Sequence, residues 1–447
     1  MKISVIGCGY LGAVHAAALA SMGHDVVGID TDPEKAGHLS RGFAPFFEPG
    51  LEDLLAEGRS TGRLVFSTEM DLVADADVHF LCVGTPQSKT SDTADLTYLE
   101  AATREVALRA RAGAVVVGKS TVPVGTVERV RGWLGRTDLE LAWNPEFLRQ
   151  GTAVKDSLVP DRLVYGVEEG AGAEATVRAL DEVYAPLLHA GVARIVCGFA
   201  TAELIKSAAN AYLATKLSYI NAMAQLCDAA GADVTQLSAA MGLDPRIGQR
   251  YLAAGLGFGG GCLPKDIRSF RAQARELGVE SVDAWMGLVD SVNVDQRGRV
   301  VGIAAELCGG SVAGRRVAVL GAAFKPDTDD IRDSPALDVS VQLAAAGAEV
   351  VVTDPKAIDN AWMRYPQLRF EPTAADAVEG AEVVLLLTEW AEYRALDPHQ
   401  LALTVARPAI VDARNVLDAD AWRAAGWDFR GLGTGDGVRS AGAVRAG

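Results

Sequence analysis

The chain has no CxxC pair, and its six cysteines (Cys8, Cys82, Cys197, Cys227, Cys262, Cys308) lie far apart. That spacing argues against a disulfide framework and for reduced thiols in a cytoplasmic protein. The six histidines are equally dispersed, and no His/Cys grouping has metal-ligand spacing, so no metal site is expected and zinc-dependent alcohol chemistry has no support. No uninterrupted apolar run approaches the length of a membrane span. Met1-Lys2 passes directly into the strand pattern Ile3-Ser4-Val5-Ile6, so no signal peptide is expected. Positive charge is also lacking. A net charge of −16 disfavours nucleic acid and anionic membranes as partners, although a local cluster of donors can still hold an anionic small molecule.

What is present suits a globular α/β protein. The 447 residues are 49% hydrophobic and 22% charged, which allows two or three domains with ample core. Lys2 to Ile6 reads as a strand, followed by Gly7-Cys8-Gly9-Tyr10-Leu11-Gly12, a helix over Ala13 to Met22 and a strand over Asp25 to Asp30. A GxGxxG alone is weak evidence, but this one lies between a strand and a helix, with an acid about 20 residues further on. Gly7 permits the tight turn, Gly9 lets a pyrophosphate reach the backbone, and Gly12 allows close helix–strand packing. The pyrophosphate is expected on the helix N-terminus. Asp30 is expected to bond the adenosine ribose and to repel a 2′-phosphate, which favours NAD over NADP. The bland alternative is a structural βαβ turn.

Further strand patterns cover Val78 to Val83, Ala114 to Gly118, Leu139 to Trp143 and Arg162 to Gly166. Small polar loops follow three of them: Gly84-Thr85-Pro86-Gln87, Ser120 to Thr126 and Asn144 to Gln150. In an open parallel sheet such loops at the strand ends outline one cleft, though each alone could be an ordinary turn. Between Gly198 and Gly231 there is neither glycine nor proline, which predicts a helix spanning roughly 45 Å at about 1.5 Å per residue. Glu203, Lys206 and Asn210 fall at i, i+3 and i+7 on one face. That stripe marks either a polar cleft or a solvent-facing Glu–Lys pair.

Near Arg315 the beginning of the chain is echoed. Arg316 to Gly321 resembles Lys2 to Gly7, and Gly347 to Pro355 resembles Gly23 to Pro33, with more strands at Val383 to Leu387 and Ala409 to Val411. The glycine fingerprint is absent there, replaced by Ala322 to Arg332. The residues from near Gly435 onward read as a frayed tail.

One stretch stands apart from these elements. Gly255 to Asp266 packs five glycines before Cys262, Pro264 and a helix stopped by Gly278. Glycines allow close approach to a ligand and φ > 0, and Pro264 suits the first turn of a helix. A thiol at a helix N-terminus beside Lys265 is where a lowered thiol pKa is expected. A glycine-rich surface turn with an incidental cysteine is the plain alternative.

Six segments occur in order along nearly the whole chain: GCGYLG, STVPVGT, NPEFL, ELIKSAANAYLATK, GFGGGCLPKD and AFKPDTDDIRDSP. Together they resemble the UDP-glucose/GDP-mannose dehydrogenase family. That resemblance implies two Rossmann-like doubly wound domains joined by a long central helix that forms the core of a homodimer. It places an NAD-binding domain at 1–198, a helical dimerisation region with the cysteine loop at 199–300 and a nucleotide-sugar-binding domain at 301–447. The implied activity is oxidation of a nucleotide-sugar C6 alcohol to a carboxylate with two NAD+. UDP-glucose is the expected substrate, with dTDP-glucose, GDP-mannose and N-acetylhexosamine nucleotides open. Cys262 matches the family nucleophile, which forms a thiohemiacetal and then a thioester. Lys206 and Asn210 match residues stabilising the alkoxide and oxyanion, Asp266 and Thr121 residues that position a water, and Glu146 the acid/base of thioester hydrolysis. On the substrate side the resemblance adds Phe147, Leu148, Phe258, Gly259, Lys325, Arg414 and Arg246, the last reaching a neighbouring subunit. Gly7, Gly9, Tyr10, Leu11, Gly12, Asp30, Lys35, Thr85, Thr121 and Arg332 match cofactor contacts. Gln150 stands where many members carry a second glutamate; catalysis is expected to survive because Glu146 and Asp266 remain. Two other classes stay open: a silent NAD- and nucleotide-binding regulator, and a two-electron hydroxyacid dehydrogenase that needs no cysteine.

Overall fold

Alternating short apolar runs and helical stretches build two parallel sheets in a computed structural model that describes residues 1–88, 91–168, 170 and 173–435. The tail expected from near Gly435 covers 436–447, which lie outside the described residues. The chain forms two compact units, residues 1–209 with 268–278, and 210–267 with 279–447. Two of the three boundaries fall inside helices, Phe199–Ala230 and Leu263–Glu276, and the third lies just before helix Glu280–Leu307.

The first unit holds strands β1 (Lys2–Ile6), β2 (Asp25–Ile29), β3 (Leu64–Ser67), β4 (Val78–Leu81), β5 (Val115–Gly118), β6 (Glu140–Trp143), β7 (Arg162–Gly166) and β8 (Ala193–Cys197). Their order is β3-β2-β1-β4-β5-β6-β7-β8, so the sheet is wound outward in both directions from β1. All pairs are parallel except β6 and β7, which meet antiparallel at Trp143 and Gly166. Val-rich strands buried on both faces are what helices on two sides demand, and β4 and β5 are buried at every position. Gly118 is required by that packing: a Cβ there would sit 1.9 Å from the Trp143 ring.

The second unit holds β9 (Arg316–Leu320), β10 (Glu349–Thr353), β11 (Arg369–Phe370), β12 (Val383–Leu386), β13 (Ala409–Asp412) and β14 (Asp428–Gly431), all parallel, in the order β11-β10-β9-β12-β13-β14. The echo of β1 and β2 in β9 and β10 is therefore structural as well as sequential. Asp354 follows β10 as Asp30 follows β2, but its Oδ2 accepts from the N–H groups of Ala322 and Ala323 and from the Trp390 indole. The loop that lacks the glycine fingerprint is closed by its own carboxylate.

Phe199–Ala230 is one 32-residue helix, as the missing glycine and proline predict. A second long helix, Glu280–Leu307, has no counterpart in the expectations above. The first helix also differs from expectation: it runs over Tyr10–Ser21, which puts Gly12 inside its first turn. No helix among the described residues is long and apolar enough to cross a membrane.

Candidate active site

In the first unit, helix Tyr10–Ser21 begins after Gly9 with no side chain capping its leading N–H groups. The positive end of the helix dipole and those donors are thus directed at whatever lies above Gly9, where an added Cβ would meet nothing within 4 Å. Gly12 is the opposite case. A Cβ there would lie 1.9 Å from the Gly7 carbonyl oxygen, and Gly7 itself adopts φ +89°. Gly7 and Gly12 are fixed by the protein, whereas Gly9 is left open. Asp30 follows β2, accepts from the Cys8 N–H at 2.9 Å and lies 3.1 Å from Lys35 Nζ. An anion-binding helix start with an acid after the second strand fits a dinucleotide such as NAD. Thr85 Oγ1 donates to the Thr121 carbonyl at 2.7 Å, joining the loops after β4 and β5.

Sequence reasoning missed Glu48. Its buried carboxylate bonds the Tyr10 hydroxyl and accepts from the N–H groups of Gly151 at 2.6 Å and Ala153 at 2.7 Å. It thereby ties the glycine loop to the segment after Gln150. Nothing in its local sequence marks it, because Tyr10 lies 38 residues away and the backbone partners 103 and 105 residues away.

The polar stripe on the central helix is buried at all three positions, which removes the solvent-facing alternative. Its members have separate partners. Glu203 accepts from the N–H groups of Gly125 and Val127, each at 2.8 Å, and so caps helix Thr126–Leu134, whose own N-cap is a left-handed glycine. Burial raises the Glu203 pKa, and those backbone donors oppose the rise. Lys206 Nζ lies 3.2 Å from Glu146 Oε1 and 5.6 Å from the Phe147 ring centroid. Glu146 Oε2 in turn accepts from the Leu148 N–H at 2.6 Å, and Arg162 stacks 3.8 Å from the Phe147 centroid. Glu146, Phe147 and Leu148 are therefore gathered around one buried ammonium.

In the second unit, Asn210 Nδ2 donates to Asp266 Oδ2 at 2.7 Å. Asp266 Oδ1 lies 2.7 Å from Lys265 Nζ as an ion pair without hydrogen-bond alignment. Lys265 thus faces the carboxylate one residue on, and both residues lie in the first turn of Leu263–Glu276. Cys262 immediately precedes that helix, its carbonyl accepting from the Asp266 N–H at 2.8 Å. Among the six cysteines it alone is exposed. Burial raises the other thiols, Cys82 to about 12, and makes them poor thiolates.

The glycines before Cys262 were expected to make room for a ligand. In the structure the protein occupies much of that room. A Cβ at Gly257 would meet Asn293 Oδ1 at 2.5 Å, at Gly259 the Asp333 carbonyl at 2.2 Å, and at Gly261 the Arg332 guanidinium at 2.3 Å. The loop is also held by backbone donation from Gly255 to Asn221 Oδ1, Phe258 to Asn293 Oδ1 and Gly260 to the Arg332 carbonyl. Arg414 braces it, donating to the Gly257 carbonyl at 3.1 Å and the Leu387 carbonyl at 2.7 Å. Arg332 is clamped by Asp330 at 2.6 Å, and Lys325 Nζ lies 5.6 Å from the Phe324 ring centroid. Arg246 is exposed and forked onto Asp244.

Comparison with known proteins fits this geometry. Models of the UDP-glucose/GDP-mannose dehydrogenase family match in three parts: the NAD binding domain over residues 1–188, the central domain over 200–294 and the UDP binding domain over 318–419. A UDP-glucose 6-dehydrogenase of Rhizobium meliloti is 40% identical over 98% of this chain and 100% of its own length. Among solved structures, a UDP-glucose dehydrogenase of Pyrobaculum islandicum aligns with a TM-score of 0.86 and 36% identity, covering 97% of both chains. A UDP-D-ManNAc dehydrogenase of Pyrococcus horikoshii aligns at 0.84 and 28%, covering 98% of this chain and 100% of that one.

Proposed function

The chain belongs to the UDP-glucose/GDP-mannose dehydrogenase family, NAD-dependent oxidoreductases of nucleotide sugars, and from that premise we propose that it oxidises C6 of UDP-glucose to the carboxylate of UDP-glucuronate. The observation that carries this reading is the pairing of matched residues from distant segments: Lys206 with Glu146, and Asn210 with Asp266 just inside the helix that Cys262 begins.

NAD+, when bound, supplies the hydride acceptor for each of the two oxidations of C6. The chain's own residues do the rest. Lys206 and Asn210 hold the oxygen on C6 as it gains negative charge, a role for fixed donors in a site that excludes water. Asp266 and Thr121 position the water that carries the alcohol proton away. The Cys262 thiolate adds to the aldehyde carbon and keeps the sugar bound between oxidations, so that the second oxidation leaves a thioester. Glu146 removes a proton from water, the water oxygen adds to the thioester carbon, and the C–S bond breaks to return the thiolate.

Residues 1–198 serve the cofactor, 301–447 the nucleotide sugar, and 199–300 the cysteine loop and self-association. A homodimer is supported by Tyr212, Tyr219 and Leu226, exposed at intervals of seven along the central helix, and by exposed Trp285 and Leu288 on Glu280–Leu307. The reduced, scattered cysteines suit the cytoplasm.

NADH formation with a panel of UDP-glucose, dTDP-glucose, GDP-mannose and UDP-N-acetylhexosamines tests the substrate. UDP-glucose is expected to give a kcat/KM at least about 10-fold above the others, since leaving one buried polar group of the site unpaired costs about 1–3 kcal/mol. A higher value with an N-acetylhexosamine nucleotide would move the assignment to that sugar.

A further inference from the structure

Behind the Glu146 loop the first unit contains a buried ammonium that the steps above do not use. Lys119 follows β5, and its Nζ donates to Asn144 Oδ1 at 2.8 Å and to the Tyr184 hydroxyl at 3.3 Å. The Tyr184 hydroxyl donates to the same Oδ1 at 2.6 Å. Asn144 Nδ2 donates to the Val164 carbonyl at 2.8 Å, and its backbone N–H to the Gly118 carbonyl at 2.8 Å. Asn144 is therefore held at four points, and only the rigid Pro145 separates it from Glu146.

Burying an ammonium is costly unless charge and hydrogen bonds compensate. Burial lowers the Lys119 pKa to about 8, and Cys82 and Glu146 are the groups that oppose this. Glu146 thus attracts the Lys119 ammonium from the loop that Asn144 anchors. Lys206 faces the same carboxylate from the central helix.

His15, from helix Tyr10–Ser21, is also buried, and its Nε2 has no hydrogen-bond partner among the described residues. Burial, and after it the Lys119 charge, disfavour its charged form. His15, Lys119, Asn144, Glu146 and Tyr184 share the wall of a cavity of about 60 Å³, whose remaining charged lining is Arg149, Asp156, Asp161 and Arg162. A water needs only about 10–15 Å³ measured this way, and an orphaned ring nitrogen on such a wall is a hydrogen-bond site for one.

We propose that Lys119 is a positioning residue for thioester hydrolysis, and that this cavity is the chamber from which Glu146 draws the attacking water. The proposal rests on the function proposed above. Glu146 takes one proton from a chamber water, and the water oxygen bonds to the thioester carbon. The C–S bond then breaks with its electron pair on Cys262 Sγ, and the proton on Glu146 passes to the thiolate or to solvent. The product carboxylic acid loses its proton to solvent, and no oxidant or reductant is consumed. Lys119, clamped by Asn144 and Tyr184, fixes the Glu146 loop against the chamber through every one of these events.

The test uses the full chain carrying Lys119→Gln, mixed rapidly with NAD+ and UDP-glucose. The expected result is a burst of two NADH per chain, then a steady rate about 10- to 100-fold below native, part of what a general base contributes. Intact mass should show a hydroxylamine-sensitive acyl adduct on Cys262, and KM for UDP-glucose should fall together with kcat, leaving kcat/KM near native. Tyr184→Phe, which keeps the ammonium and removes one clamp, should give the same burst with a smaller loss, and it carries the test if Lys119→Gln does not fold. Native turnover without a burst in Tyr184→Phe and in any folded Lys119→Gln protein would overturn the proposal, as would a loss that precedes the first NADH. If native protein forms no NADH from UDP-glucose, the functional reading itself fails, whatever the variants do.

Discussion

Cys262→Ala is expected to lower UDP-glucuronate formation by about 1000-fold or more, the scale on which removal of a catalytic nucleophile acts. The physical reason lies in the contrast among the thiols. Five of the six are partly or wholly buried and raised by burial, whereas Cys262 is exposed at the start of a helix whose dipole favours a thiolate. Without that sulfur an aldehyde has no covalent hold between the two oxidations. NADH formation should therefore drop to at most one per sugar, with free aldehyde trapped by a hydrazine reagent. A variant that kept native turnover would instead support the two-electron dehydrogenase alternative.

Lys206→Met should reduce kcat by about 100- to 1000-fold, the usual cost of losing one donor aimed at a developing oxyanion. Methionine matches the length and much of the apolar packing of lysine, so the change isolates the charge. It also leaves the Glu146 carboxylate without its partner at 3.2 Å, in a site where both side chains are nearly buried. Thermal unfolding should consequently shift downward, because stranding one member of a buried pair is destabilising. A kcat within threefold of native would show that this ammonium does not meet the reacting oxygen.

Much of this arrangement is legible in the sequence. Buried Val- and Leu-rich runs announce β1, β2, β4 to β7, β9, β10, β12 and β13, because strands covered on both faces are continuously apolar. The strands that escape notice lack that signature. β3 alternates between buried and exposed residues, β8 is exposed along most of its length, β11 has two residues, and β14 alternates as Asp-Phe-Arg-Gly. Helix Glu280–Leu307 is hidden by Gly287, Gly298 and Gly302 within it, residues that weaken helix propensity while tertiary packing sustains the helix.

The site divides in the same way. Helical spacing places Lys206 and Asn210 on one face, but it cannot say that Glu146 and Asp266 are their partners, since those lie on other elements. Spacing also groups Glu203 with them, although that carboxylate is spent on a helix start. Glu48, Lys119 and Asn293 carry no local signal. Their roles come from buried polar groups that must be satisfied, and only the folded chain reveals which groups those are.

The most direct measurement is the amount of NADH formed per UDP-glucose consumed when purified protein runs a limiting amount of UDP-glucose to completion with excess NAD+. Four-electron oxidation through Cys262 predicts two NADH per sugar, with UDP-glucuronate as the product. One NADH per sugar, with an aldehyde as the end product, would contradict it.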